Sequence, residues 1–384
     1  MRFFHLSDLH IGKQLHHYSL LEDQRHILNE VVSQVKGLKP DAVVIAGDIY
    51  DKSVPSAEAV SLFDDFLTEL ADVDEKPAVI LISGNHDSAQ RLDYASRILG
   101  RQNIYISGEA PREKDEYLKK VTLSDEYGEV DFYLLPFLKP GYVRGVFEEE
   151  IPETYSEAVA RILEREALDQ EKRNVLLSHQ FYTGYGKTPQ TCDSELFSVG
   201  GIDNVDIAPL LQFDYAALGH LHRAQQAGEP FIRYCGTLLK YSVSEAGDTK
   251  SLHVVELGKK GEKARVELLP LHPLRDVRTV RGEMEQIMEQ AETESCEDYI
   301  SITLTDEIDP YRPKEQLEKV YPHILEIRVD NARTRKRLEE FDEEVELTDP
   351  LLVFGEFYEE IQGRELSREE REFLEKVFDK VKGE

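Results

Sequence analysis

The sequence predicts an α/β fold of two packed sheets with helices outside, followed by a smaller α+β unit and a helical tail. Three observations carry this reading. From Arg2 to Gly84, buried-type apolar runs alternate with helix-periodic stretches, the grammar of right-handed crossovers and a parallel sheet. From about Ile104 the strands become shorter and more numerous, and near Leu274 the pattern changes again.

Taken in order, Arg2 to Ser7 is a first strand, with Asp8-Leu9-His10 at its exit. Ser19-Leu20-Leu21-Glu22 has the capping-box form, and Leu21, Leu28, Val31 and Val35 follow at helical spacing until Gly37 and Pro40 end the helix. Asp41 to Ala46 is a second buried strand ending in Gly47-Asp48, and Val60, Phe63, Leu67 and Leu70 mark a second amphipathic helix. Ala78 to Ile82, led by Pro77 and ended by Gly84, is a third strand, apolar enough to be covered on both faces. It delivers Asn85, His86 and Asp87 at its C-terminal end, where open α/β sheets bind ligands.

Val121 to Leu123 and Val130 to Leu135 flank Gly128 as a hairpin. A helix near Ser156 to Ala167 leads to the strand Val175 to His179, and Tyr215 to Leu218 leads to Gly219-His220-Leu221-His222. Strands near Phe231 to Cys235 and Leu252 to Leu257, with a hairpin through Gly258 to Gly261, close a domain at 1–274. Strands at Val277 to Val280, Tyr299 to Leu304 and Ile324 to Val329, with helices near Met284 to Ala291 and Pro313 to Val320, make a small α+β domain at 275–332. Residues 333–384 are a charged linker and two short amphipathic helices between Asp349 and Lys380. Such helices hold too little apolar surface for a core of their own, so they read as a docking element.

Composition narrows the function. The 384 residues are 40% hydrophobic, and no apolar run approaches the roughly 18 residues of a membrane span. The N-terminus enters a strand with no signal-peptide pattern, and Cys192, Cys235 and Cys296 are too scattered for a disulfide framework or a thiolate zinc site. A cytoplasmic protein with no membrane partner is expected. The net charge of −30, from 76 acidic and 46 basic residues, is the wrong sign for a chain that grips DNA alone. Either the substrate is no long polyanion, or metal ions and a partner supply the positive charge.

The chemistry is concentrated at strand tips: Asp8 and His10, Asp48, Asn85 and His86, His179, His220 and His222. Each fragment alone is weak, because Asp-x-His recurs by chance and Gly-Asp is often a turn. Their order and common placement carry the reading, since a sheet gathers its strand ends on one edge. Oxygen and imidazole donors without thiolate suit manganese, iron or zinc. Seven donors with one shared carboxylate suit two metals about 3.5–4 Å apart, clamping the attacking and leaving oxygens of a phosphoryl transfer. His5, His26, His253, His272 and His323 show no such placement and read as structural or surface residues.

The ordered set Asp8-x-His10, Gly47-Asp48, Gly84-Asn85-His86-Asp87, His179 and Gly219-His220-x-His222 resembles the calcineurin-like metallophosphoesterase superfamily. Gly47-Asp48-Ile49-Tyr50-Asp51 and the stretch Gly236 to Glu245 resemble more closely the bacterial SbcD nuclease subunits, although Thr237 and Leu238 stand where Ser and Pro are expected. The resemblance covers essentially the whole chain. It implies a four-layer sandwich, two mixed β-sheets flanked by helices, with a small capping domain and a C-terminal docking element. It assigns Asp8, His10 and His222 to one metal and Asn85, His179 and His220 to the other, with Asp48 bridging. His86 then contacts the scissile phosphate and helps protonate the leaving group. A water shared by two cations needs no separate protein base, whereas a leaving alkoxide does need a proton. Asp87 is read either as orienting a nearby ring or as a helix N-cap before Ser88, and Asp51 as a turn residue or a support for the site.

The resemblance further implies a DNA exo- and endonuclease acting on double-stranded ends and hairpins, with two divalent ions, manganese first. Its partner would be an SbcC-like coiled-coil ATPase, in a heterotetramer containing a homodimer of this chain. The alternatives are a stand-alone phosphodiesterase or phosphatase for small phosphorylated substrates, which the acid excess suits, and a non-catalytic scaffold, which retention of every ligand position argues against.

Overall fold

The computed structural model describes residues 1–195, 203–291, 296–308 and 310–335, with scattered residues between 354 and 374. Most of the docking element expected between Asp349 and Lys380 lies outside the described residues.

Two six-stranded mixed sheets pack face to face. In the first, Arg2–Leu6, Ala42–Ala46, Ala78–Ile82 and Ile104–Ser107 run parallel, and Ser251–Glu256 and Arg265–Pro270 are added antiparallel at one side. In the second, Gly128–Leu135, Arg173–His179, Tyr215–Gly219 and Ile232–Tyr234 run parallel, flanked by antiparallel Lys119–Asp125 and Gln225–Gln226. Strand periodicity explains the layering. Phe3 faces the other sheet, edge-on to Phe132 and Tyr215, whereas Phe4 and Leu6 face the helices Leu21–Leu38 and Ala57–Ala71. The outer face of the second sheet is covered by the helix Tyr155–Arg165. The result is the expected sandwich of mixed sheets flanked by helices.

The helix after Ser19 differs in detail from expectation. It starts at Leu21 with Leu20 as its cap residue and no side-chain cap, so the Ser19–Glu22 capping box does not form. Thr154 and Glu157, unremarked in the sequence, do form one, at the start of Tyr155–Arg165.

A third sheet of Val277–Gly282, Tyr299–Leu304 and Ile324–Val329, all parallel, has its own apolar cluster around Ile287, Ile302 and Leu317. Arg275 and Tyr299 both bond Asp23 Oδ2 at 3.0 Å, holding this unit against the first helix. Among the described residues, no helix is long and apolar enough to cross a membrane.

One buried pair between the two sheets makes a prediction. His5 and His253 are cross-strand neighbours, both in the core, with ring centroids 5.7 Å apart. Neither ring nitrogen of His253 has a hydrogen-bond partner among the described residues, and burial lowers its pKa to about 3. As pH falls below about 6.5 the unfolded chain binds a proton here and the folded chain does not, so stability is lost. His253 alone is expected to cost about 2 kcal/mol at pH 5 relative to pH 7.5. Urea titrations of His253→Leu at both pH values are expected to show that increment gone; an unchanged pH dependence refutes the assignment.

Candidate metal centre

Every parallel strand that carries a donor ends at the same edge, and there the two sheets come into contact. Arg2–Leu6 delivers Asp8 and His10, Ala42–Ala46 delivers Asp48, and Ala78–Ile82 delivers Asn85 and His86. From the second sheet, Arg173–His179 ends on His179 and Tyr215–Gly219 runs into His220 and His222. Small residues permit the approach. A Cβ on Gly84 would lie 2.1 Å from Asp48 Oδ1, and one on Gly219 would lie 2.0 Å from the Ala46 carbonyl. Gly84 therefore serves by leaving space for Asp48. Several donors also sit in left-handed backbone, with φ of 52° at Asp8, 42° at His10, 50° at Asp48 and 102° at His220. Each such non-glycine residue costs about 1–2 kcal/mol, which only a rigid surround sustains.

The donors form two groups. Ligand atoms of Asp8, His10 and His222 lie within 4.8 Å of one another, as do those of Asp8, Asp48 and His179. Asn85 Oδ1 is 3.0 Å from both His179 Nε2 and His220 Nδ1, so three donor atoms converge there. Asp48 reaches both groups, with Oδ2 3.3 Å from His179 Nε2 and 3.7 Å from His10 Nε2. The structure thus brings together all seven sequence-predicted ligands, as two clustered metal-binding sites.

The electrostatics fit cations. Burial pushes the Asp8 carboxyl up to about 7, with His179 pulling it down and Asp48 pushing it further up. Burial also opposes the charge of Asp48, yet His179, His10 and His86 together hold its carboxyl far below the ordinary range. Burial disfavours the imidazolium of His179, but Asp48 and Asp8 outweigh it and hold its pKa at about 9. His10 and His220 are lowered to about 3, mainly by burial, which leaves neutral rings. Two buried carboxylates with one buried imidazolium between them are short of positive charge, the deficit that divalent ions fill.

The tautomers point the same way. His179 Nδ1 is 2.7 Å from the Ala46 carbonyl, which can only accept, so Nδ1 keeps its proton and Nε2, facing Asn85 and Asp48, is the nitrogen that a cation would bind in place of a proton. Ser194 Oγ lies 2.7 Å from His222 Nδ1 and donates to Glu245 Oε1 at 2.7 Å. The Ser194 proton being spent on Glu245, His222 Nδ1–H must donate, and its Nε2 lone pair faces His10 Nε2 at 3.1 Å. His10 Nδ1 is buried and has no hydrogen-bond partner among the described residues.

His86 is half-buried. Its N–H bonds Asp48 Oδ1 at 2.8 Å, and its Nδ1 donates to the Asp51 carbonyl at 2.9 Å, leaving Nε2 free of that bond. Asp87 is neither a ring orienter nor an N-cap. Its carboxylate accepts from the amides of Ile49, Tyr50 and Gly84 at 2.9–3.1 Å, tying the Asp48 loop to the Asn85 loop. Asp51 is more than a turn residue, because it bonds Lys13 at 2.9 Å and sits 3.9 Å from His10 Nδ1.

Residues behind His222 were not found from the sequence. Glu245 is fully buried and collects Lys250 at 2.6 Å, Ser242 at 2.8 Å and Ser194, while Glu195 accepts the His222 amide at 2.5 Å. The stretch Gly236 to Glu245 carries the family resemblance, but nothing in its spacing points to His222. Such outer partners fix a ligand's tautomer, and losing one costs roughly 10–100-fold in metal affinity. Ser194→Ala is expected to weaken one metal by that factor in a competition titration; unchanged affinity would separate this chain of bonds from the metal.

The comparisons agree with the geometry. Residues 1–224 match the family model described as calcineurin-like phosphoesterase, and residues 273–362 match the one described as type 5 capsule protein repressor C-terminal domain. The SbcD subunit of the SbcCD nuclease of Staphylococcus saprophyticus is 31% identical over 98% of this chain and 97% of its own length. That of Staphylococcus epidermidis is 32% identical over 96% and 95%. Among solved structures, a dimetal phosphatase from Danio rerio covers 69% of this chain and 98% of its own at 13% identity, with a TM-score of 0.36, too loose an overlap to argue from. Strand tips, donor geometry and near-complete coverage by relatives lead to one conclusion: the chain belongs to the calcineurin-like phosphoesterase superfamily and, within it, to the SbcD family of nuclease subunits.

Proposed function

We propose that this protein is a two-metal-dependent DNA exo- and endonuclease, hydrolysing phosphodiesters at double-stranded ends and hairpins as the nuclease subunit of an SbcCD-like complex. The observation that carries the reading is the convergence of seven donors where the strand ends of the two sheets meet, in a chain that matches nuclease subunits along nearly its whole length. Asp8, His10 and His222 would hold one ion and Asn85, His179 and His220 the other, with Asp48 available to both. Two divalent ions bound there, manganese first, would polarise the phosphate and lower the pKa of a shared water.

The chain's own residues do the rest. Ala46 and the Ser194–Glu245 pair hold His179 and His222 in the tautomers that present Nε2. Asp87 fixes the loop that carries His86, and the Asp51 carbonyl aims the ring. Protonated at Nε2, His86 gives that proton to the departing alkoxide. In this reading residues 1–274 cut, 275–332 cap the DNA, and 333–384 dock on the coiled-coil ATPase, with the phosphoesterase domains paired as a homodimer in the cytoplasm. The partner's basic surface would offset a net charge of −30.

The test is hydrolysis of a hairpin and a blunt duplex in manganese, with and without the ATPase and ATP. Cleavage that depends on metal and is raised by the partner is expected, with weak, salt-sensitive DNA binding by the chain alone. The acid excess also favours a stand-alone phosphodiesterase for small substrates. Hydrolysis of a small diester with no cleavage of either DNA, even with the ATPase present, would establish that reading instead.

A further inference from the structure

A cleft that reaches Asn85 is lined by Arg112, Phe137, Lys139 and Tyr142, together with the carboxylates of Asp87 and Glu109. Its aromatic wall begins at a candidate ligand, because the Phe137 ring stands edge-on to His179 at 6.4 Å. The Phe137 amide bonds the Ser83 carbonyl at 3.1 Å, which fixes this wall to the strand tip that carries Asn85. The ammonium of Lys139 sits 6.0 Å from the centroid of the Phe137 ring, with no carboxylate partner among the described residues. The guanidinium of Arg112 lies 5.7 Å from the Tyr142 ring and is paired with Glu109 at 3.1 Å. Cations stand over aromatic rings at several places on this acidic chain, and these two pairs are the ones that line the cleft reaching Asn85. Aromatic faces interleaved with cations form a platform for unpaired strands, since every base offers a π-face while its backbone needs positive charge. A paired base keeps its faces inside the stack and cannot use such a platform.

We propose that this cleft seats the unpaired nucleotide next to the scissile phosphate, with its base on Phe137 and its outer phosphate on Lys139. The flexible Lys139 side chain leaves the ring when a base takes its place and carries its charge to the phosphate. Arg112 and Tyr142 receive the following nucleotide, more weakly, because Glu109 already competes for the guanidinium. The inference rests on the nuclease reading above and adds to it that DNA reaches the metals as a frayed or splayed strand.

The experiment compares Lys139→Glu and Phe137→Leu with the wild type, using the full chain with manganese and the ATPase. Substrates are a single-stranded oligonucleotide and bis(p-nitrophenyl) phosphate, which has neither a nucleobase nor an outer phosphate for Lys139 to hold. Lys139→Glu is expected to raise the ratio of oligonucleotide KM to small-diester KM about tenfold and to lower the salt slope of oligonucleotide binding by about 0.7. Phe137→Leu, which keeps apolar bulk but removes the stacking face, is expected to raise that ratio roughly fivefold or more. Wild-type ratios and an unchanged salt slope in both variants overturn the subsite and leave the nuclease reading standing. A wild-type enzyme that cuts the small diester but no DNA overturns the nuclease reading and the subsite with it.

Discussion

Asp48→Asn is expected to lower phosphodiester hydrolysis at least about 10³-fold, roughly 4 kcal/mol of transition-state stabilisation, while the protein stays folded. Asp48 Oδ2 faces histidines of both donor groups, lying 3.3 Å from His179 Nε2 and 3.7 Å from His10 Nε2. Asparagine keeps the shape and can still accept the His86 amide, which bonds Oδ1 at 2.8 Å, so the Asn85 loop keeps its place. What it loses is the charge. In the metal-free protein that loss is mild, because Asp48 is the main reason His179 holds its proton to about pH 9, and a neutral neighbour lets the ring discharge. With metal the loss is severe, since two cations then share one carboxylate fewer. Metal content per chain, measured after dialysis, should fall from two toward one, while the urea midpoint in EDTA moves little. Hydrolysis within tenfold of wild type, or two ions still bound, would show that Asp48 does not bridge.

The sequence made much of this site legible because its chemistry lies at strand ends. An apolar run bounded by Gly84 announces a buried strand, and whatever follows it must emerge on the ligand-binding edge. Asp8, Asp48, Asn85, His179 and His220 were all found that way. Roles that depend on through-space partners were not legible. Asp87 bonds amides at Ile49 and Tyr50, far from it in the chain, so neither local reading of it could succeed. The Ser194–Glu245–Lys250 chain behind His222 joins loops that nothing in their spacing relates. The aromatic cleft went unread for the same reason: Arg112 and Phe137 look like ordinary loop residues until the fold sets them beside Asn85. The sequence leaves His253 as either a structural or a surface residue; it lies in the core, and its lack of a hydrogen-bond partner among the described residues is a fact of packing alone.

The second large effect separates His86 from the candidate metal ligands around it. Ligand atoms of His10, Asp48 and His86 also lie within 4.8 Å of one another, so proximity alone does not distinguish an acid from a ligand. The bond from His86 Nδ1 to the Asp51 carbonyl supplies the means, because asparagine can replace that donor while removing Nε2. His86→Asn is expected to cut DNA about 10²–10⁴-fold more slowly, the usual worth of general acid catalysis. Against bis(p-nitrophenyl) phosphate the loss should shrink to about tenfold or less, because p-nitrophenolate departs without a proton and only the contact to the phosphate is missing. Metal content should stay at two ions per chain. Were His86 a ligand instead, both substrates would suffer alike and an ion would be lost. The dependence of the defect on the leaving group therefore tests which atom of the reaction His86 serves, and a loss that is equal for both substrates, with both ions retained, would confine His86 to binding the phosphate.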